Sequence, residues 1–364
     1  MARADHLSGW IDLEREFRRR GYFVPNTRRI AAELAFHVTL LVGGMALFLC
    51  FGTGWLGLLG IFASAGGSLG VSTNTHAASH GGACRSARAN RGLTYFGYPL
   101  MLGLSATYWW HKHCAIHHPN PNIVGVDDDI DFMPFFALNS EDLDRSGSAA
   151  RVYYRYQWLV APFAISLNSF NMQRQGWAFL IRRLAGPAGS RAPALIDLAC
   201  MSAHLGLYLG VPALLFSPGA ALACYVLRSL VLSYGVFALF APGHFPDEAV
   251  CASRQPRAVD FVVRQTLTTA NFRLGPIARL FASGLQFQIE HHLFPRIDHT
   301  RYRAMSREVR AFCERNGLPY HCLGWGEALR KSFVPFYRPK QVVARLVPPA
   351  AMARARGACL ERST

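Results

Sequence analysis

The spacing of its apolar runs constrains this chain more than any other feature. Residues 34–51, 55–71, 195–216 and 220–241 are almost free of charge. Each approaches the ~20 residues that a helix needs to cross a hydrocarbon core. In that setting the backbone must satisfy its own polar groups, so the runs are expected to be helices. The turns between them, FGTG and SPGA, are short, which predicts two helical hairpins. The second run is rich in glycine and other small residues, suited to close helix packing. The expected class is therefore all-α: an integral membrane protein with four transmembrane helices in two hairpins.

Charge gives the orientation. The 364 residues are 51% hydrophobic, and the formal net charge is +16, almost all from arginine; lysine occurs only at Lys112, Lys331 and Lys340. Neither hairpin turn carries Lys or Arg. The positive-inside rule then puts three parts in the cytoplasm: the N-terminal segment 1–33, residues 72–194 and residues 242–345. The last two would form a helical cap, completing a membrane domain over 34–345. The tail, 346–364, reads as disordered. Arg, Ala, Gly and Pro richness suits a bacterial inner-membrane protein with both termini cytoplasmic. No basic stripe with interleaved aromatics appears, so nucleic acid is not an expected partner. Nine cysteines without a C-x-x-C pair exclude a disulfide framework and a zinc knuckle. The first 33 residues are too polar for a cleavable signal. Two further apolar stretches, 93–110 and 158–170, are expected to lie in the interface, with Tyr108, Trp109 and Trp110 at headgroup level.

The histidines cluster on the predicted cytoplasmic side. NTHAASHGG carries His76 and His80, WWHKHCAIHHPNPN carries His111, His113, His117 and His118, APGHFP carries His244, and QFQIEHHLFP carries His291 and His292. On an α-helix residues four apart share a face, so His76 with His80, and His113 with His117, can each grip one ion. His118 points ~100° further round, at ~3.6 residues per turn, toward a second ion. Gln288, His291 and His292 repeat the logic. These imidazoles exceed what one ion needs, which implies two metals. Imidazole-rich sites suit iron, zinc, copper or nickel; redox-active iron fits an open site beside membrane, whereas structural zinc favours cysteine and four ligands. His111 competes with His113, and His113 is preferred. His37 and His204 lie inside runs and read as structural; His299 reads as a neighbour of the third group.

On these motifs, HAASH, HCAIHH and QIEHH, the chain resembles the membrane fatty acid desaturases with three histidine boxes. The glutamine of the last box is similar to that of front-end and acyl-lipid members, and NPNIVGVDDDIDFMP and NFRLGPIARLFASGLQFQIEHHLFPRI resemble the family's flanking segments. The resemblance implies a di-iron centre, O2 as co-substrate, and metal ligands His76, His80, His113, His117, His118, His244, His291 and His292. His244 stands where the family uses a lone extra histidine. GVDDDI resembles the family's G-x-D-P-D-I, which gives Asp127 a supporting role. Glu290 is expected to orient a ligating imidazole through its other ring N–H, Gln288 to hydrogen-bond a ligand, and Asn271 to support the third box.

The implied reaction is O2-dependent desaturation of a lipid acyl chain, carried on CoA, acyl-carrier protein or glycerolipid. No HPGG motif occurs here, so the expected electron source is a separate ferredoxin or cytochrome b5 type donor. A lipid or carotenoid hydroxylase or ketolase of the same superfamily is the nearest alternative. A zinc-dependent membrane hydrolase or receptor is the alternative of another class.

Overall fold

A computed structural model describes residues 2–186, 191–254 and 260–347. The fold is predominantly helical, and four helices are long and apolar enough to cross a membrane: Thr27–Phe51, Trp55–Ser79, Ala192–Leu215 and Pro218–Gly243. They are called the first to fourth spans below. Leu59, Phe62, Val42, Leu195, Leu214 and Leu222 lie exposed on them, as residues facing lipid do. The second span is the most enclosed, with 61% of its apolar window buried against 22% in the first and third.

Glycine explains that enclosure. A Cβ on Gly67 would come within 2.4 Å of Leu41 N, and one on Gly44 within 2.4 Å of Ser64 N. The first and second spans therefore run back along each other at backbone contact, as small residues permit. The helix also runs further than its apolar run. It continues to Ser79, so His76 sits on the same rod as Gly60 and Gly67, and His80 caps it.

The stretch 93–110 is not a surface helix. Residues Phe96–Leu102 form a wide i→i+5 helical turn around Pro99. Gly103 then takes φ +74, a left-handed conformation natural to glycine, and a new helix starts at Ala106. Tyr98, Leu102 and Ala106 are fully enclosed, and Trp109 is 8% exposed, so Trp109 packs within protein. The break frees N–H groups at the new helix start, and a residue of the third span caps them. Asp197 accepts from Ala106 N at 3.1 Å, Thr107 N at 2.7 Å and Ser105 Oγ at 2.7 Å. The helix Gln157–Ser166 does present Trp158, Leu159 and Phe163 outward.

A second core lies beneath the third histidine stretch: Ile289, Leu293, Phe294 and Ile297 pack on Met305, Val309 and Phe312. The N-terminal segment joins it rather than standing apart. Its helix, Ala2–Arg19, buries Phe17 there and stacks Trp10 on Phe294. Two short parallel strand pairs interrupt the helical pattern: Cys251–Ala252 with Val342–Val343, and Asn271–Arg273 with Cys322–Gly324. The expected tail, 346–364, lies outside the described residues except for Leu346 and Val347. Leu346 is buried in the second core, because the strand before it carries the chain back over the fold.

Candidate metal centre

The second and fourth spans end beside one another. His76 and His80 close the second span, and His244 follows the fourth. His113, His117 and His118 come from the helix Trp110–His117 and its C-cap; His291 and His292 come from Gln288–Leu293. The eight imidazoles fall into two groups. The nitrogens of His76, His80, His113, His118 and His291 all lie within 4.8 Å of one another, and those of His117, His244 and His292 do likewise.

The partition follows α-helical spacing only in part. His113 and His118 share the larger group and His117 joins the smaller, while His113 and His117 also meet each other beside Asp129. Local geometry is the cause. Trp110–His117 is a π-helix, with His118 N donating to His113 O at 3.0 Å. An i→i+5 turn aligns residues five apart rather than four. Single π-turns of this kind recur at functional sites.

The outer ring nitrogens are held from behind. His117 Nδ1 donates to the Asp127 carboxylate at 2.9 Å, and that carboxylate also accepts from Asn122 N at 2.8 Å. His292 Nδ1 donates to Gln265 Oε1 at 3.0 Å, and Gln265 Nε2 donates to His118 O at 2.9 Å. His291 Nδ1 lies 3.0 Å from Tyr302 Oη. A proton fixed at Nδ1 leaves Nε2 as a bare lone pair. In His292 that atom is buried without a hydrogen-bond partner, as is Nε2 of His80. In the larger group, Nε2 of His118 lies 3.1 Å from that of His113 and 3.0 Å from that of His291, and His76 Nε2 lies 2.8 Å from His113 Nε2. A neutral imidazole has one N–H, so such convergence suits a shared cation. This donor set fits a late first-row metal in each group.

Electrostatics agree. Burial, reinforced by the neighbouring imidazoles, holds His80, His118, His244, His291 and His292 well below the usual histidine range. Burial likewise pushes His113 down to about 4. His117 alone is raised: burial opposes its charge, but Asp127 and Asp129 outweigh it. A buried imidazole kept neutral keeps its lone pair for metal.

Other candidates behave differently. His111 is exposed and stacks on Phe179, 5.2 Å away. His299 pairs with Glu33 at 2.7 Å. His204 bonds Leu100 O and Tyr225 Oη, and His37 packs against Gly70, both within spans. Glu290 touches no imidazole. Its carboxylate accepts from Asn271 Nδ2 at 2.8 Å and Tyr320 Oη at 2.6 Å, while Asn271 Oδ1 accepts from Ile289 N at 2.9 Å. Glu290 and Asn271 thus brace the backbone of the third box. Gln288 keeps its expected place: Nε2 donates to Leu285 O at 2.8 Å, the side chain packs on Gly243, and it hydrogen-bonds the His244 ring.

Three supporting residues escape the sequence reading, and a fourth, Asp129, is anticipated there only as part of GVDDDI. Gln265, Tyr302 and Asp197 come from distant segments, and their partners cannot be paired by spacing. Asp129 lies 3.2 Å from Lys112 Nζ and 3.5 Å from His117 Nδ1. Burial opposes its charge, but Lys112 and the nearby histidines hold its carboxyl well below the usual range. Two of the four carried a signal: Asp197 as an acid inside an apolar run, Asp129 as part of DDDI.

Relatives bear on this arrangement. The sequence model described as fatty acid desaturase matches residues 53–324, more than half of the chain. The chain is 31% identical over 282 residues to the chloroplastic acyl-lipid (7-3)-desaturase of Chlamydomonas reinhardtii, covering 72% of this chain and 52% of that protein. It is 28% identical over 234 residues to the NADPH-dependent stearoyl-CoA 9-desaturase of Mycobacterium tuberculosis, covering 59% of this chain and 52% of that protein. It is 26% identical over 337 residues to the acyl-lipid (8-3)-desaturase of Rebecca salina, covering 91% and 74%. The chain thus spans about half the length of the first two. The match runs from the second span through all three histidine stretches to Gly324, and so takes in both imidazole groups: the chain belongs to the fatty acid desaturase family.

Proposed function

We propose that this chain is an O2-dependent desaturase of lipid acyl chains working at a di-iron centre. The observation that carries the reading is the pair of buried imidazole groups, five and three, each within 4.8 Å. His76, His80, His113, His118 and His291 would hold one ion, and His117, His244 and His292 the other. Iron, when bound, supplies the oxidising power to remove two hydrogens from adjacent unactivated carbons, which side-chain acids and bases lack. With two electrons and two protons from a donor, O2 leaves as two waters.

The chain's own residues do the positioning. Asp127 and Gln265 keep the protons of His117 and His292 at Nδ1, and Tyr302 fixes the ring of His291. Trp109 stacks on His113 at 4.2 Å, and Phe240 lies 6.0 Å from His76. These rings keep water away from the apolar side of the site. The substrate is an acyl chain on CoA, acyl-carrier protein or glycerolipid, drawn from the membrane. Electrons come from a ferredoxin or cytochrome b5 type protein. Arginine outside the spans supports a cytoplasmic location for the imidazole groups, in a bacterial inner membrane.

The test is expression in a host of defined lipid composition, with mass spectrometry of its acyl chains. Desaturation predicts products lighter by two hydrogens; products heavier by one oxygen would assign a hydroxylase instead. Metal analysis showing zinc and no iron would overturn the oxidative reading.

A further inference from the structure

Beyond the family match, which ends at residue 324, the chain returns to the metal centre. Its residues 338–343 lie between two other segments. Lys340 N donates to Leu138 O at 2.8 Å and Ser140 N to Lys340 O at 2.9 Å on one side; on the other, Val342–Val343 pairs with Cys251–Ala252. Arg338 adds a 3.1 Å contact to Asp247. The segment covers the loop that carries His244.

Inside that loop Lys340 is 8% exposed, rare for a lysine. Its Nζ faces backbone carbonyls alone: His244 O at 3.1 Å, Pro246 O at 3.0 Å and Ala249 O. Asn122 Nδ2 donates to two of the same carbonyls, His244 O at 2.8 Å and Ala249 O at 3.2 Å. Asn122 N in turn donates to Asp127, which holds His117. One network therefore joins the ammonium to two of the three imidazoles of the smaller group. His244 needs such support. Gln288 reaches its ring, but the position of that ring still depends on the loop backbone that Lys340 and Asn122 hold. The backbone at residue 244 sets the ring's position, and the lysine gathers that backbone.

We propose that Lys340 is a positioning residue for the smaller imidazole group: its ammonium draws together the carbonyls of residues 244–249 and so fixes His244 for metal. This rests on the proposed two-metal centre, and it assigns a role to a residue outside the matched region.

Anaerobic titration of the full-length, detergent-purified protein with ferrous iron alone tests it. Wild type is expected to take two equivalents per chain. In Lys340→Met, which keeps the stem and removes the donors, the first equivalent binds as in wild type and the affinity for the second falls at least tenfold. Lys340→Gln, which restores an N–H donor without charge, lies between the two and carries the test if the Met variant does not accumulate. Both equivalents binding as in wild type, or both weakening in parallel, overturns the positioning role. Wild type that takes fewer than two equivalents overturns the two-metal reading itself, and the proposal with it.

Discussion

His113 and His118 stand five residues apart, yet their Nε2 atoms are 3.1 Å from each other. The last turn of the π-helix, closed by His118 N to His113 O, brings them to one side while His117 joins the other group.

That relationship separates two variants that look alike in sequence. His118→Ala removes a member of the five-imidazole group, and His117→Ala a member of the three-imidazole group. Each is expected to lose product formation. The iron that remains should differ, since His118→Ala spares the smaller site and His117→Ala the larger. Equilibrium iron binding with spectroscopy of the remaining ion checks this; identical spectra from both variants would contradict the partition.

Asp127 is the acceptor that fixes the tautomer of His117. Asp127→Asn removes the carboxylate charge while keeping the shape. Losing such an outer partner typically costs 10–100-fold in metal affinity or activity. The expected result is a loss of that size in the affinity of the smaller group, with the affinity of the larger group little changed.

Asp197 caps a helix that belongs to another part of the chain. Asp197→Ala strips three donors of their acceptor in a fully buried setting. Buried donors left without partners cost about 1–3 kcal/mol each. The variant is expected to melt well below wild type in detergent, by several kcal/mol in stability, and to misplace the second histidine box. A melting temperature equal to wild type would refute the capping role.

The metal-free protein should be sensitive to acid. Histidines whose folded values lie below the unfolded 6.5 bind protons better when unfolded, so they take stability away as pH falls through 6.5. For His113, held at about 4 by burial, the loss builds between pH 6.5 and about 4 and reaches on the order of 3 kcal/mol. His80, His118, His244, His291 and His292 add in the same direction. His117, raised by its acids against burial, acts oppositely. Its stabilisation is full below the unfolded value and fades as pH rises through the folded one. The net expectation is a melting temperature that drops steeply from pH 7 to pH 5 in metal-free protein; a flat profile would contradict the neutral, buried state of the rings.

Much of this was legible in the sequence because apolar run length and histidine type are local properties. The four spans, the glycine packing of the second and the eight imidazoles all follow from residues read in place. The pairing of rings follows only in part: His113 and His117 do meet, beside Asp129, but spacing assumes α-helix and nothing in WHKHCAIHH marks the wider turn that brings His118 to His113. Glu290 was misread for a related reason. Its neighbours in the chain are histidines, but its partners in space, Asn271 and Tyr320, come from strands and loops 19 and 30 residues away. Gln265, Tyr302 and Lys340 lie beyond any local window. Trp109 has the residue type of a headgroup anchor, whereas the break at Gly103 turns its segment inward.

The second span runs unbroken from Trp55 to Ser79, carrying lipid-facing Leu59 at one end and His76 at the other. Helices adjust their tilt to bilayer thickness, and a rod without a joint passes such a tilt along its whole length. A change in bilayer thickness that tilts this span therefore moves His76 with it, so the surrounding lipid bears on where that ring stands.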